Sequence, residues 1–322
     1  MHLKMKLSEP TQKSLRCPVC YAKVKNVDQE FVCINSVCDT HFPIVDGIPV
    51  LLNEKSSLFA IGDFVTFRPT FFSNRSKNKL KTALLHLIPS ISKNIRAKKN
   101  YRLLGELLLR QSTSPRVLVI GGSIRGYGME SIANNASIEF IESDISFGQR
   151  TMVIIDAHDI PFEDKSFDGV IVQAVLEHVI DPYRCADEIH RVLKEQGIVY
   201  AETPFIQQVH GKQYDFTRFT HIGHRRLFRR FEEISSGAGC GPGMALAWSY
   251  QYFLLSFTTS RMLRSLVTVF ANLTSFYLKY FDYYLIDKPG ALDAAAGYYF
   301  MGRKTKNVLS DRELIQLYKG AN

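Results

Sequence analysis

No acidic side chain occurs between Arg75 and Arg102, and no internal repeat or low-complexity tract appears anywhere in the 322 residues. The first absence leaves a stretch suited to anions, and the second excludes solenoid and propeller arrays. A clean apolar run is missing too: Tyr, Gln, Ser and Thr interrupt the eighteen uncharged residues from Gly243 to Ser260, which argues against a membrane span. No secretory leader is evident, so the few cysteines, six in all, read as thiols in a reducing cytoplasm rather than as a disulfide framework.

The charge that is present is uneven. Through Pro115 there are 18 Lys and Arg against 8 Asp and Glu; beyond it the balance is 22 against 23. Arg75, Lys77, Lys79, Lys81, Lys93, Arg96, Lys98, Lys99 and Arg102 interleave with Leu80, Leu84, Leu85, Leu87 and Ile88. This pattern reads as a basic amphipathic helix facing phospholipid, a pyrophosphate-linked glycan or RNA, or else as a solvated connector.

Four cysteines are spaced for a metal. Cys17-x2-Cys20 and Cys33-x4-Cys38 lie twelve residues apart, and two such knuckles can place four thiolates around a structural Zn2+ with no position open for chemistry. A disulfide pairing is the competing reading, and His41 a competing ligand. Cys185 and Cys240 read as packing residues.

The richest segment runs from Arg116 to Pro204. Arg116–Ile120 is a short apolar strand suited to burial on both faces of a parallel sheet. Gly121, Gly122, Ser123 and Gly126 follow as a turn that lets backbone approach a ligand. Further strands are expected near 137–143, ending at Asp144, at 152–155, leading to Asp156 and Ala157, at 167–173, ending at Gln173, and at 197–204. A helix is expected over 183–193.

These residues resemble the class I S-adenosylmethionine-dependent methyltransferases of the type 11 group. The resemblance rests on Asp144-Ile145-Ser146, Asp156-Ala157, Ile160-Pro161-Phe162, Ser166-Phe167-Asp168, Leu176-Glu177-His178 and Arg191-Val192-Leu193-Lys194. It implies an α/β Rossmann-like sheet of seven strands. It also implies an S-adenosylmethionine site in which the glycine turn holds the methionine moiety, Asp144 the ribose, and Asp156 with Ala157 the adenine, with Ile145 and Gln173 as further cofactor-binding residues. Two departures stand out: Val119 replaces the usual acidic residue on the first strand, and Ser123 the second glycine. Only about eight residues follow Asp144 before the next strand, too few for the usual helix. Residues 1–54, through Phe42-Pro43-Ile44-Val45-Asp46-Gly47, resemble a small Trm112-like zinc ribbon.

Residues 55–114 then form the basic connector, 115–239 with 294–306 the cofactor-binding domain, 240–293 an aromatic-rich helical insertion and 307–322 a tail. A helix is expected over 225–231 and a sixth strand over 232–236. Acceptors meet the methyl donor beyond the fifth strand, where 205–224 is dense in aromatics and histidines. There His210, and next His178, suit a general base, while Tyr214, Asp215, Arg218 and His221 are candidates for acceptor contact. Asp215 and Arg218 can equally pair with each other, and the whole segment can equally be a lid. The insertion reads as helices at a membrane interface or over a lipid-like acceptor, or as a buried dimerisation element.

The tail resembles bacterial methyltransferases found with surface-polysaccharide genes, which implies a small-molecule, glycan or lipid-linked acceptor. It also implies a cytoplasmic protein with peripheral contact at the inner face of the membrane. An RNA methyltransferase is the alternative, less favoured because the aromatics lie far in sequence from the basic run. A non-catalytic scaffold, motivated by Val119 and Ser123, is the third reading. No oligomeric state follows from the sequence.

Overall fold

The computed structural model describes residues 5–66 and 88–321. Four antiparallel strands open the chain: β1 (Val24–Val27), β2 (Glu30–Cys33), β3 (His41–Val45) and β4 (Ile48–Leu51). The β3–β4 hairpin turns on Asp46 and Gly47, both at positive φ, as a two-residue turn matching strand twist requires.

The rest of the sheet consists of β5 (Arg116–Ile120), β6 (Glu139–Asp144), β7 (Val153–Ile155), β8 (Phe167–Gln173), β9 (Leu193–Pro204), β10 (Phe231–Cys240) and β11 (Gly297–Lys304). Their order is β7-β6-β5-β8-β9-β11-β10, with only β11 and β10 antiparallel to their neighbours. The strand order therefore reverses between β5 and β8, which places a crevice at the carboxyl ends of those two strands.

The seven strands of this part share one sheet of eleven with the four of the ribbon, a junction the sequence reading did not expect, because β4 pairs in parallel with β7 (Val50 with Ile154, Leu51 with Ile155). The connection 145–152 contains no helix, so β7 would otherwise be an open edge; β4 covers it. One hydrophobic core joins the two parts: Leu7, Leu15, Cys17, Phe31, Cys33 and Phe42 pack with Leu118, Ile120, Val153, Phe162 and Phe167.

Among the helices, α1 (Glu9–Lys13) and α2 (Ile61–Val65) belong to the amino-terminal part. The amphipathic helix α3 (Ala97–Gln111) is no solvated connector: Tyr101, Leu104 and Leu108 are buried against one face of the sheet, while Lys98, Lys99 and Arg102 face outward. The part of the expected basic helix that falls at 67–87 lies outside the described residues. On the other face, α4 (Pro182–Val192) begins at Asp181, whose carboxylate accepts the amides of Tyr183 and Arg184.

Helix α5 (His221–Leu227) starts earlier than expected because Thr220 caps it through the Gly223 amide. Strand β10 reaches Cys240 instead of ending at Ser236: it pairs with β11 along its length, with Gly237 opposite Tyr299 and Gly239 absorbed in a register shift. The insertion folds as α6 (Pro242–Leu255), α7 (Arg261–Ser275), α8 (Leu278–Leu285) and α9 (Pro289–Asp293), and α10 (Asp311–Gln316) closes the chain. Among the described residues no helix is long and apolar enough to cross a membrane.

A shared core implies shared unfolding. Phe42→Ala, which truncates a fully buried side chain on ribbon strand β3, is expected to cost about 3–5 kcal/mol and to shift one cooperative thermal transition. Two separate transitions, one unshifted, would show that the ribbon folds by itself.

Candidate active site

A cavity of about 450 Å³ opens at the carboxyl ends of β5, β8 and β9. Gly121, Ser123 and Gly126 form one wall, Gln173 and Glu202 the floor, and Glu177, Gln207 and His210 the opposite rim. Met244 of α6 and Tyr298 of β11 close the outer side. Gly121 has φ +79°, and a Cβ at Gly126 would stand 1.8 Å from Gln173 Oε1, so neither position tolerates a side chain.

The floor is a hydrogen-bonded network. Tyr101 Oη donates to Gln173 Oε1 (2.9 Å), and Gln173 Nε2 and Asn94 Nδ2 donate to Glu202 Oε2 (2.6 and 2.8 Å). Tyr200 donates to the other Glu202 oxygen. Burial pushes the Glu202 carboxyl above its usual range despite these donors.

Asp144, expected at the ribose, is 4% exposed at the tip of β6. It accepts the Ser123 amide (3.0 Å) and both the amide and hydroxyl of Ser146 (2.9 Å each). A carboxylate offers about four lone-pair sites, so with three taken Asp144 keeps one for a ribose hydroxyl while fixing the glycine turn. With the turn stripped of side chains beside it, these residues fit S-adenosylmethionine. Where the first strand carries Val119, the register places Glu142 of β6 directly opposite, buried and paired with Arg150.

Not every expected residue reaches the cavity. Gly122 lies against Glu142, and Ile145 packs with Phe59, Phe64 and Phe147. Asp156 is taken up by the hydroxyl of Ser57 (2.6 Å) and by the amide and Nδ1 of His158 (3.0 and 2.5 Å). Ala157 is buried in the core, and Tyr214 stacks on Phe59 at 5.8 Å.

Asp215 and Arg218 turn to each other, with one contact at 2.9 Å, and Asp215 also accepts the amides of His210 and Gly211. Burial opposes the Asp215 charge, but Arg218 and those amides outweigh it and hold the carboxyl well below its usual range. The pair shapes the loop rather than touching an acceptor. His221 is corrected as well: it is buried 5.6 Å from the Tyr298 ring, and burial lowers its pKa. His210 does line the cavity, and Glu177 raises its pKa.

Sequence reasoning missed Glu202, Tyr101, Asn94 and Gln207. Only Glu202 gave a signal, as a charge inside the apolar strand Ile198–Thr203.

The four ribbon cysteines converge. Their Sγ atoms all lie within 4.8 Å, with Cys17–Cys38 at 3.7 Å and Cys20–Cys33 at 3.5 Å. Tetrahedral zinc with Zn–S bonds near 2.3 Å spaces its sulfurs by about 3.8 Å, so the set fits. His41 stays outside it, 3.1 Å from Glu30.

Parts of the chain are similar to known proteins. A family model described as a methyltransferase domain matches residues 122–201. A demethylmenaquinone methyltransferase of Clavibacter sepedonicus is 33% identical over 109 residues, 28% of this chain and 44% of the relative. The chain thus spans under half the length of that curated relative. Among solved structures, a Haemonchus contortus phosphoethanolamine N-methyltransferase 2 with S-adenosyl-L-methionine aligns at TM-score 0.41 and 17% identity, covering 65% of this chain and 53% of that one. The [4+2]-cyclase SpnF aligns at TM-score 0.39 and 16% identity, over 73% and 86%. Residues 122–201 are thus the part of the chain that is similar to a methyltransferase domain.

Asp215→Ala removes the anchor of the 207–218 loop. Amide exchange at His210 and Gly211 is expected to quicken by about tenfold or more, for a lost charge-assisted bond of about 1.5–3 kcal/mol. Unchanged protection would show that the loop is held elsewhere.

Proposed function

We propose that the chain transfers the methyl group of S-adenosylmethionine to a hydroxyl oxygen of a glycan or lipid-linked acceptor at a membrane surface. One observation carries the reading: a single cavity joins the glycine turn, the 207–210 loop and α6 of the insertion. Donor and acceptor can therefore meet where the insertion begins. In the transfer, the acceptor oxygen attacks the methyl carbon in line. The C–O bond forms as the S–C bond breaks, and the electron pair stays on sulfur as S-adenosylhomocysteine. The hydroxyl proton leaves to a base, for which His210 at the rim is the candidate.

The helices beyond the cavity support the lipid-linked class. Phe253, Phe257, Met262 and Tyr284 are 62%, 76%, 74% and 71% exposed, and Leu266, Phe270, Leu273, Tyr280 and Phe281 are exposed with them. A single chain that displays so many large apolar side chains on adjacent helices presents a face for a lipid interface, flanked by Arg261 and Arg264. The ribbon cysteines hold zinc in a structural role, since four thiolates leave no open position.

Three measurements test this. Calorimetric titration with S-adenosylmethionine and S-adenosylhomocysteine should give binding that Asp144→Ala weakens by more than about tenfold, the loss of a charged hydrogen bond; no binding by folded protein would favour a scaffold. Sedimentation with anionic phospholipid vesicles should carry the protein down, and a Phe253→Ser, Phe257→Ser double variant should bind more than about tenfold less. Equal binding by the variant, or tight binding to RNA alone, would overturn the lipid-linked class. Elemental analysis should find zinc retained on the chain, and its removal by chelator should lower the melting temperature.

A further inference from the structure

Three side chains at the cavity rim aim at one point. Glu177 is 0% exposed, and among the described residues neither of its carboxylate oxygens accepts a hydrogen bond. Nε2 of His210 and Nε2 of His178 stand 3.7 and 3.8 Å from Glu177 Oε1, beyond hydrogen-bonding reach. The two rings meet edge to face with centroids 4.9 Å apart.

Each ring is tied through its other nitrogen. His178 Nδ1 lies 2.9 Å from the Tyr214 carbonyl and His210 Nδ1 3.3 Å from the Gln208 carbonyl. A carbonyl only accepts, so His178 Nδ1 carries a proton and a neutral His178 then turns its Nε2 lone pair toward Glu177; His210 Nδ1 also has Arg218 Nη2, which only donates, at 3.5 Å. Fixing a ligating imidazole through such a bond is the usual support for a metal. The backbone at Gly211 presses on His178: a Cβ there would stand 2.5 Å from the ring, so the loop itself holds the orientation.

A buried carboxylate that accepts no hydrogen bond is costly unless a cation lies beside it. Ligand atoms about a tetrahedral ion with bonds of about 2.0–2.1 Å sit about 3.4 Å apart. The three atoms here are all within 4.8 Å of one another. We propose that Glu177, His178 and His210 bind a divalent transition-metal ion, leaving positions open toward the cavity that Glu177 and His210 line. Two imidazoles and one carboxylate suit Zn2+, Mn2+ or Fe2+, and the open positions take an oxygen donor such as an acceptor hydroxyl; with the ion bound, His210 serves as a ligand instead of the base, and the hydroxyl proton, made more acidic by the ion, passes to water. That last step rests on the methyl-transfer reading; the ion site does not.

Protein with its cysteine site zinc-filled is titrated with Mn2+ alone, and free Mn2+ is read by electron paramagnetic resonance. Uptake of one further equivalent per chain is expected. Glu177→Gln and His210→Ala should each weaken it by more than about tenfold, while both variants still bind S-adenosylhomocysteine. Should either variant fail to fold, Mn2+ must selectively broaden the His178 and His210 ring resonances of the unaltered protein. No uptake beyond the cysteine site at millimolar Mn2+ or Zn2+, or equal uptake by folded variants, overturns the proposal and leaves a buried imidazolium–carboxylate cluster. Uptake without S-adenosylhomocysteine binding would leave the ion site standing and sink the transferase reading instead.

Discussion

The parallel pairing of β4 with β7 governs the geometry of everything above it. The connection after β6 is too short to hold a helix, so the edge strand β7 has only three residues and no cover of its own. Docking β4 beside it supplies both hydrogen bonds and a hydrophobic flank from Ile48, Val50, Leu52 and Phe64. Without that flank, Ile154 and Ile145 would face water, and β6 with Asp144 would become the penultimate strand of a frayed sheet.

The same docking positions the loops at the carboxyl ends. Asn53, Ser56 and Ser57 follow directly from β4 and hold Asp159 and Asp156, while Phe59 stacks on Tyr214 of the acceptor-side loop. Asp159 also meets Arg184 of α4 and the Tyr21 hydroxyl beside the second cysteine. A cysteine cluster with no open chemistry can thus matter to a reaction, because the loops that frame the site hang from its ribbon.

How much of this was legible in the sequence depends on the element. Val117–Ile120 and Val170–Val172 are buried on both faces, so unbroken apolar runs marked them, and Gly121 with φ +79° marked the turn. The far end of β10 was hidden because Gly237 and Gly239 speak locally for a turn, whereas pairing with β11 decides the outcome. Helix α3 was hidden differently: its basic face dominates the composition, and only the sheet reveals that Tyr101 and Leu104 turn inward. Glu177 was visible within a motif, yet its isolation from hydrogen-bond donors is purely spatial. Likewise Asp215 and Arg218 offered two readings at three-residue spacing, and the amides of His210 and Gly211 chose between them.

Within the insertion, one buried carboxylate fixes the start of the helix that reaches the cavity. Asp282 of α8, 0% exposed, accepts the amides of Gly243 (2.6 Å) and Met244 (3.0 Å) at the start of α6. Unpaired amides and the positive end of the helix favour a carboxylate there, although burial raises the Asp282 pKa. A Cβ on Gly243 would stand 2.2 Å from the Leu278 carbonyl, so the two helices touch backbone to backbone. Met244 lines the cavity one residue past Gly243, and Phe253 lies on the exposed face less than three turns further along the same helix. The exposed face of α6 and the cavity are therefore joined by one continuous helix. The rigidity of that path comes from Asp282 and Gly243, not from the aromatic residues that face outward.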